Sequence, residues 1–158
     1  MHEYRVWSFP GLAGILLLAA VATEPAADSP PPLRLAAEAL DGPVQAKVER
    51  VVDGDTIEVR ARIWLGQSLV VRVRIDGIDT PELKARCEDE RRRAEAARAF
   101  LAHRLEGADI KLSHVVYDKY GGRVRADVTD DSGDIARALL AAGLARPYHG
   151  ERRQSWCE

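Results

Sequence analysis

The sequence has no surplus of positive charge: 23 Lys and Arg stand against 25 Asp and Glu, for a formal charge of −2. That balance excludes a protein that coats nucleic acid by bulk electrostatics, so any grip on a polyanion has to come from locally focused cations and a metal ion. Cysteine is scarce, at two residues, Cys87 and Cys157. Neither has companions at ligand spacing, which argues against a zinc site. Long apolar runs are missing as well, since the stretch from Gly11 to Ala22 is shorter than the about 20 residues a membrane-spanning helix needs. What remains, in 158 residues of ordinary apolar content and 30% charged side chains, is one compact soluble domain.

The N-terminal stretch has a short head with Arg5, an apolar core and small residues at Ala20 and Ala22, the A-x-A spacing of a secretory signal. Residues 1–22 are therefore expected to be a signal peptide cleaved after Ala22, leaving a secreted or periplasmic protein without stable membrane association; an uncleaved anchor is the competing outcome. In an exported chain an even pair of cysteines is most simply a disulfide, Cys87 to Cys157, with free thiols the alternative if export fails. Residues 23–43, rich in Ala and Pro around Ser29-Pro30-Pro31-Pro32, cannot bury much and are expected to be a linker, with a brief helical turn over Leu33–Leu40.

From residue 44 to 158 the pattern is that of a folded domain. Strands are expected over Val44–Val52, over Thr56–Ile63 with Ile57, Val59, Ala61 and Ile63 on one face, and over Leu69–Asp76 after a turn at Gly66-Gln67. Glu88–Leu105 has helical spacing, with Ala94, Ala97, Leu101 and Leu105 on one stripe and Gly107 as its stop. Arg91-Arg92-Arg93 on that helix is either its solvated side or a DNA-contacting patch. Ile110–Tyr117 and Arg123–Thr129 form a second hairpin, and Asp134 caps a last helix carrying Ile135, Leu139 and Leu140 inward and ending at Gly143.

The chemistry gathers at Val71 to Glu82, V-R-V-R-I-D-G-I-D-T-P-E. Alternation puts Val71, Val73 and Ile75 on the buried face and Arg72, Arg74 and Asp76 on the open one. Gly77 and Pro81 then break the strand, so Asp79, Thr80 and Glu82 fall on a tight connection. A guanidinium, two carboxylates and a hydroxyl at one strand end are the raw material of a phosphate-processing site. Val51-Val52-Asp53-Gly54-Asp55-Thr56 adds two carboxylates around a glycine, and Asp118-Lys119-Tyr120-Gly121-Gly122-Arg123 adds an arginine after a glycine turn.

Through V-D-G-D-T, R-I-D-G-I-D-T-P-E, D-K-Y-G-G-R and the G-L-A-R-P-Y of Gly143–Tyr148, in that order, the chain resembles the thermonuclease family, the staphylococcal-nuclease-like enzymes. The resemblance runs from about Val48 to Tyr148 and implies an α+β, mainly β fold: a five-stranded OB-type barrel with about two packed helices. It also implies that Asp55, Asp79 and the backbone carbonyl of Thr80 hold Ca²⁺, for which an all-oxygen donor set is suited. By the same resemblance Glu82 activates or positions water, Arg74 and Arg123 bind the phosphate, and Lys119, Tyr120 and Tyr148 contact the nucleotide. Arg74 keeps the family's spacing to Asp79, whereas the doubled glycine Gly121-Gly122 displaces Arg123 relative to the family. The family's longer C-terminal helix is replaced by a short tail ending in Cys157-Glu158, and the suspected disulfide is expected to stand in for its packing.

Two functions compete at this point. One is an exported, calcium-dependent nuclease acting on DNA or RNA, single strands preferred, as a monomer. The other is a secreted OB-fold module that binds nucleic acid or protein without cleaving it. Survival of Asp55, Arg74, Asp79, Glu82 and Arg123 together favours the nuclease, because a pure binder has no physical need of both metal carboxylates and the base.

Overall fold

A computed structural model describes residues 39–157. The expected signal peptide, and the expected linker up to residue 38, lie outside the described residues. The elements run β1 (Ala39–Leu40), β2 (Val44–Val51), β3 (Thr56–Trp64), β4 (Gln67–Ile75), β5 (Ile78–Asp79), α1 (Glu88–Leu105), β6 (Asp109–Tyr117), β7 (Arg123–Asp130), β8 (Gly133–Asp134), α2 (Ile135–Ala141) and β9 (Arg146–Pro147). Five long strands pair in the order β6-β2-β3-β4-β7, and a further β6–β7 pairing closes the sheet on itself. The result is the five-stranded OB-type barrel with two helices. The one parallel contact of the barrel, β4 beside β7, sets Arg72 opposite Arg123 and Arg74 opposite Arg125.

The interior follows from alternation. Ile57, Val59, Val73, Ile75, Ile110, Leu112, Ala126 and Val128 point inward from the strands and are essentially sealed from solvent. α1 covers one end with Leu101 and Leu105, and α2 adds Ile135 and Leu139. Ala94 and Ala97, small enough to let α1 approach closely, are fully buried on the same stripe. Asp134 caps α2 by accepting from the Arg137 N–H, and the first turn of α1 is acidic, which suits the positive end of its dipole. Arg91 and Arg92 pair with Glu88 and Asp89 on the exposed side of α1, the behaviour of a solvated face.

Three expectations need correction. Ala39–Leu40 is not part of a helical turn: it pairs with Val115 and Val116 at the edge of β6, because an open strand edge satisfies backbone groups that a short local turn leaves to water. Ile63 is 54% exposed, since β3 runs on past the barrel end to Trp64 and leaves the core behind. Arg74 does not lie on an open face; it is 7% exposed, roofed by the neighbouring loops.

Away from the cleft, Arg104 of α1 makes a two-pronged pair with Asp130 of β7, Nε to Oδ2 at 2.8 Å and Nη2 to Oδ1 at 2.9 Å. This clamps the helix to the barrel, and the Arg104 guanidinium holds the Asp130 carboxyl below its ordinary value of 3.8 in spite of partial burial. A carboxylate with a depressed folded pKa contributes stability that is complete above its unfolded value and is lost as pH falls through the folded one. Asp130→Asn is expected to cost about 2 kcal/mol at neutral pH. In urea titrations the gap to the parent protein should narrow as the pH drops below the carboxylate range, and a gap independent of pH would contradict the assignment.

Candidate active site

The loop between β2 and β3 is wound tightly by its own backbone. The Val52 and Asp53 N–H groups both donate to the Thr56 carbonyl, and Asp53 Oδ1 accepts from the Asp55 N–H at 3.2 Å. The Asp55 carbonyl accepts from the Ile75 N–H at 2.8 Å, which ties the loop to the end of β4. Gly54 is required by close approach: a Cβ there would lie 2.8 Å from Ala97 Cβ and 2.9 Å from Thr80 Oγ1. The loop is therefore pressed onto α1 and onto the segment after β5, and Asp55 is driven inward.

At the bottom of this arrangement Asp55 Oδ2 lies 2.5 Å from Arg74 Nη1, while Asp55 Oδ1 accepts from the Thr56 hydroxyl at 2.9 Å. Arg74 Nη2 donates to the Ile78 carbonyl at 3.2 Å and lies 3.7 Å from Asp79 Oδ1. Asp55, Arg74, Asp79 and Thr80 are all buried. Burial pushes the Asp55 carboxyl up to about 7, Arg74 pulling it down and Asp53 adding to the rise. Asp79 is placed by a short antiparallel ladder in which β5 meets β9, and the Tyr148 N–H continues it by donating to the Gly77 carbonyl at 2.9 Å. Gly77, at φ 78°, supplies the left-handed turn that lets β5 follow β4 so sharply.

Above the buried cluster opens a cleft of about 840 Å³. Arg74, Glu82, Lys119, Tyr120, Arg123 and Tyr148 all line it. Arg123 pairs through Nε with Asp118 Oδ2, and its guanidinium and the Lys119 ammonium lie 5.1 and 5.2 Å from the Tyr120 ring centre. Tyr120 is 60% exposed, a surface ring and not a core residue. Arg74, Glu82, Lys119, Tyr120, Arg123 and Tyr148 thus share the cleft walls, Asp55 and Asp79 meet Arg74 on its buried side, and Thr80 is buried next to Asp79.

Three residues at the site escape the sequence patterns. Arg125 shares an outward face with Arg123, two positions on, and Nη1 donates to Asp76 Oδ1 at 2.9 Å; the R-V-R repeat was a usable signal. Trp156 is buried in the tail and donates from Nε1 to Asp79 Oδ2 at 3.2 Å, with the Arg146 guanidinium stacked 3.8 Å from its ring centre. Arg153 places Nε 2.8 Å from Asp79 Oδ1 and pairs through Nη1 with Glu82 Oε1. The tail is fixed by the Cys87–Cys157 disulfide at the N-terminus of α1. Glu90 brings a third donor next to these two sulfurs, but the sulfurs are bonded to each other.

The donor set fits a hard divalent cation. Two buried carboxylates face one buried guanidinium, and Asp79 Oδ1 has no aligned hydrogen bond although two guanidinium groups stand near it. That oxygen is held by charge contacts with Arg153 at 2.8 Å and Arg74 at 3.7 Å, positions that a cation can take, and oxygen donors without nitrogen or sulfur suit Ca²⁺.

The staphylococcal nuclease homologue family model matches residues 72–156, more than half of the chain. No curated protein matches it. The family match spans the cleft from Arg74 to the tail, while Asp55 precedes it and joins the site through its contact with Arg74.

Two outcomes follow from this packing. Gly54→Ala should lower stability by about 1–3 kcal/mol, because Ala97 and the Thr80 side chain must shift to admit the methyl group; a neutral effect in urea titrations would show that the loop is not pressed down as described. Reducing the disulfide, which closes a loop of 70 residues, should cost about 3–5 kcal/mol by chain entropy, and an unchanged unfolding midpoint would contradict its role as the anchor of the tail.

Proposed function

The chain belongs to the staphylococcal nuclease homologue family, and from that premise we propose that it is an exported, calcium-dependent nuclease hydrolysing phosphodiester bonds of DNA, RNA or both, with single strands preferred. The observation that carries this is the buried contact of Asp55, Arg74 and Asp79 at the foot of a cleft that also presents Glu82 and Arg123. Buried charges are costly to maintain, so a cluster with carboxylates in excess is intelligible where a cation and a phosphate are to be bound. Export rests on the signal-like residues 1–22 and is favoured by the disulfide, which persists in oxidising compartments. A monomer suffices, because one chain supplies the whole constellation.

Asp55, Asp79 and the Thr80 carbonyl would hold calcium, which supplies positive charge to a phosphate oxygen and offsets the charge that builds there during attack. Arg74 is held by Asp55 and the Ile78 carbonyl, so its fork is oriented before substrate arrives. Arg123, fixed by Asp118 across the cleft, supplies a second set of parallel donors for the phosphate. Glu82, about half exposed on the cleft wall, is accessible to water, can accept its proton and can direct its oxygen at phosphorus. Tyr120 and Tyr148 offer ring faces to bases that only unpaired strands present freely, and Lys119 can reach a flanking phosphate.

Incubation of the purified protein with single-stranded DNA and RNA tests the proposal. Cleavage should require calcium and stop on chelation. Glu82→Gln should slow it by about 10²- to 10³-fold with stability close to the parent, and Arg123→Lys, which keeps the charge facing Asp118 but loses the fork, should slow it comparably. Arg74→Ala is a poorer probe, since removing that guanidinium leaves two buried carboxylates without it and should destabilise by about 3–5 kcal/mol. Substrates that stay intact in calcium while still binding the protein would overturn the proposal in favour of a binding module.

A further inference from the structure

Arg74 reaches two buried acidic side chains, Asp55 and Asp79, and a second guanidinium comes to Asp79 from neither the barrel nor α1 but from the tail, as Arg153. That guanidinium engages Asp79 with Nε at 2.8 Å and Glu82 through Nη1, and it lies in the field of Asp55 as well. Asp79, assigned above to the metal, and Glu82, assigned to water activation, are thus the carboxylates that hold Arg153. Burial works against its charge, but Glu82, Asp79 and Asp55 together outweigh burial and keep it firmly protonated.

The tail is anchored on both sides of this side chain. On one flank β9 and the Tyr148 N–H are zipped to β5 and Gly77. On the other, Trp156 is buried with Nε1 on Asp79 Oδ2, and Cys157 is bonded to Cys87. Between the two anchors residues 149–155 are exposed, so Arg153 can swing while both anchors stay in place. We propose that Arg153 is a tethered cation that occupies the carboxylates of the metal site in the resting protein and competes with the incoming divalent ion, making metal loading and release of the tail arginine a single exchange. This rests on the calcium assignment made above. An ion bonded to Asp79 Oδ1 takes the place that Arg153 Nε holds at 2.8 Å, so binding of the ion expels this guanidinium, frees Glu82 from its pairing, and leaves Arg153 at the cleft rim where a phosphate can take it up.

The exchange is tested by calorimetric titration of the full chain with calcium, without nucleic acid. Arg153→Gln should bind calcium at least about fivefold more tightly than the parent, whereas Arg152→Gln, altering the exposed neighbour, should bind like the parent. Equal or weaker binding in Arg153→Gln overturns the proposal while leaving the calcium site standing. Absence of calcium binding in parent and variants alike overturns the calcium assignment and the exchange with it. A second measurement uses the unaltered protein, in case the variant folds poorly: phenylglyoxal labelling read by mass spectrometry should modify Arg153 faster in calcium than in chelator. A rate at Arg153 indifferent to calcium overturns the exchange.

Discussion

The structure turns on one buried contact, the guanidinium of Arg74 against the carboxylates of Asp55 and Asp79. Ions taken out of water lose solvation worth several kcal/mol each, and their mutual attraction recovers it only when geometry is good and the remaining lone pairs find partners. Here partners are supplied from all sides: the Thr56 hydroxyl, the Ile78 carbonyl, the Trp156 indole and the Arg153 guanidinium. Nothing in such an arrangement is a cheap route to stability. It is a means of holding charges at fixed positions in a low-dielectric setting, where electrostatic interactions are strong.

The rest of the molecule reads as the apparatus for that placement. The barrel brings the end of β4 beside β7 in parallel register, so the arginines of the two strands rise on one side. The β2–β3 loop, sealed by Gly54 against α1, pushes Asp55 under them. The β5–β9 ladder sets Asp79 and, through the same few hydrogen bonds, brings Tyr148 to the cleft. The disulfide joins the tail to the start of α1, so the chain's last described residues become part of the site instead of trailing from it. Each of these devices is local and small, and together they over-determine the positions of a few side chains.

Much of this was legible in the sequence, for reasons tied to particular residues. α1 announces itself through Ala94, Ala97, Leu101 and Leu105 at helical spacing, and its observed limits coincide with the expected ones. The five barrel strands follow from alternation of Ile, Val and Ala, and α2 from its Asp134 cap. Periodicity says which side of a strand a residue occupies but not what covers that side, so the burial of Arg74 was hidden. Two-residue strands such as β1, β5 and β9 are shorter than any period and exist only because a partner edge is present. Arg153 and Trp156 stayed hidden because the solvated-looking R-R-Q-S-W-C tail acquires its meaning only when the disulfide folds it back over Asp79.

The central claim is that this cluster grips a divalent ion and a phosphate together, and a crystal structure with calcium and a non-hydrolysable single-stranded oligonucleotide tests it most directly. The account predicts an ion bonded to Asp55 and Asp79, with a backbone phosphate held between Arg74 and Arg123 and Glu82 facing phosphorus. An ion bound elsewhere, or a strand lying across another face of the barrel with the cleft unused, would contradict it.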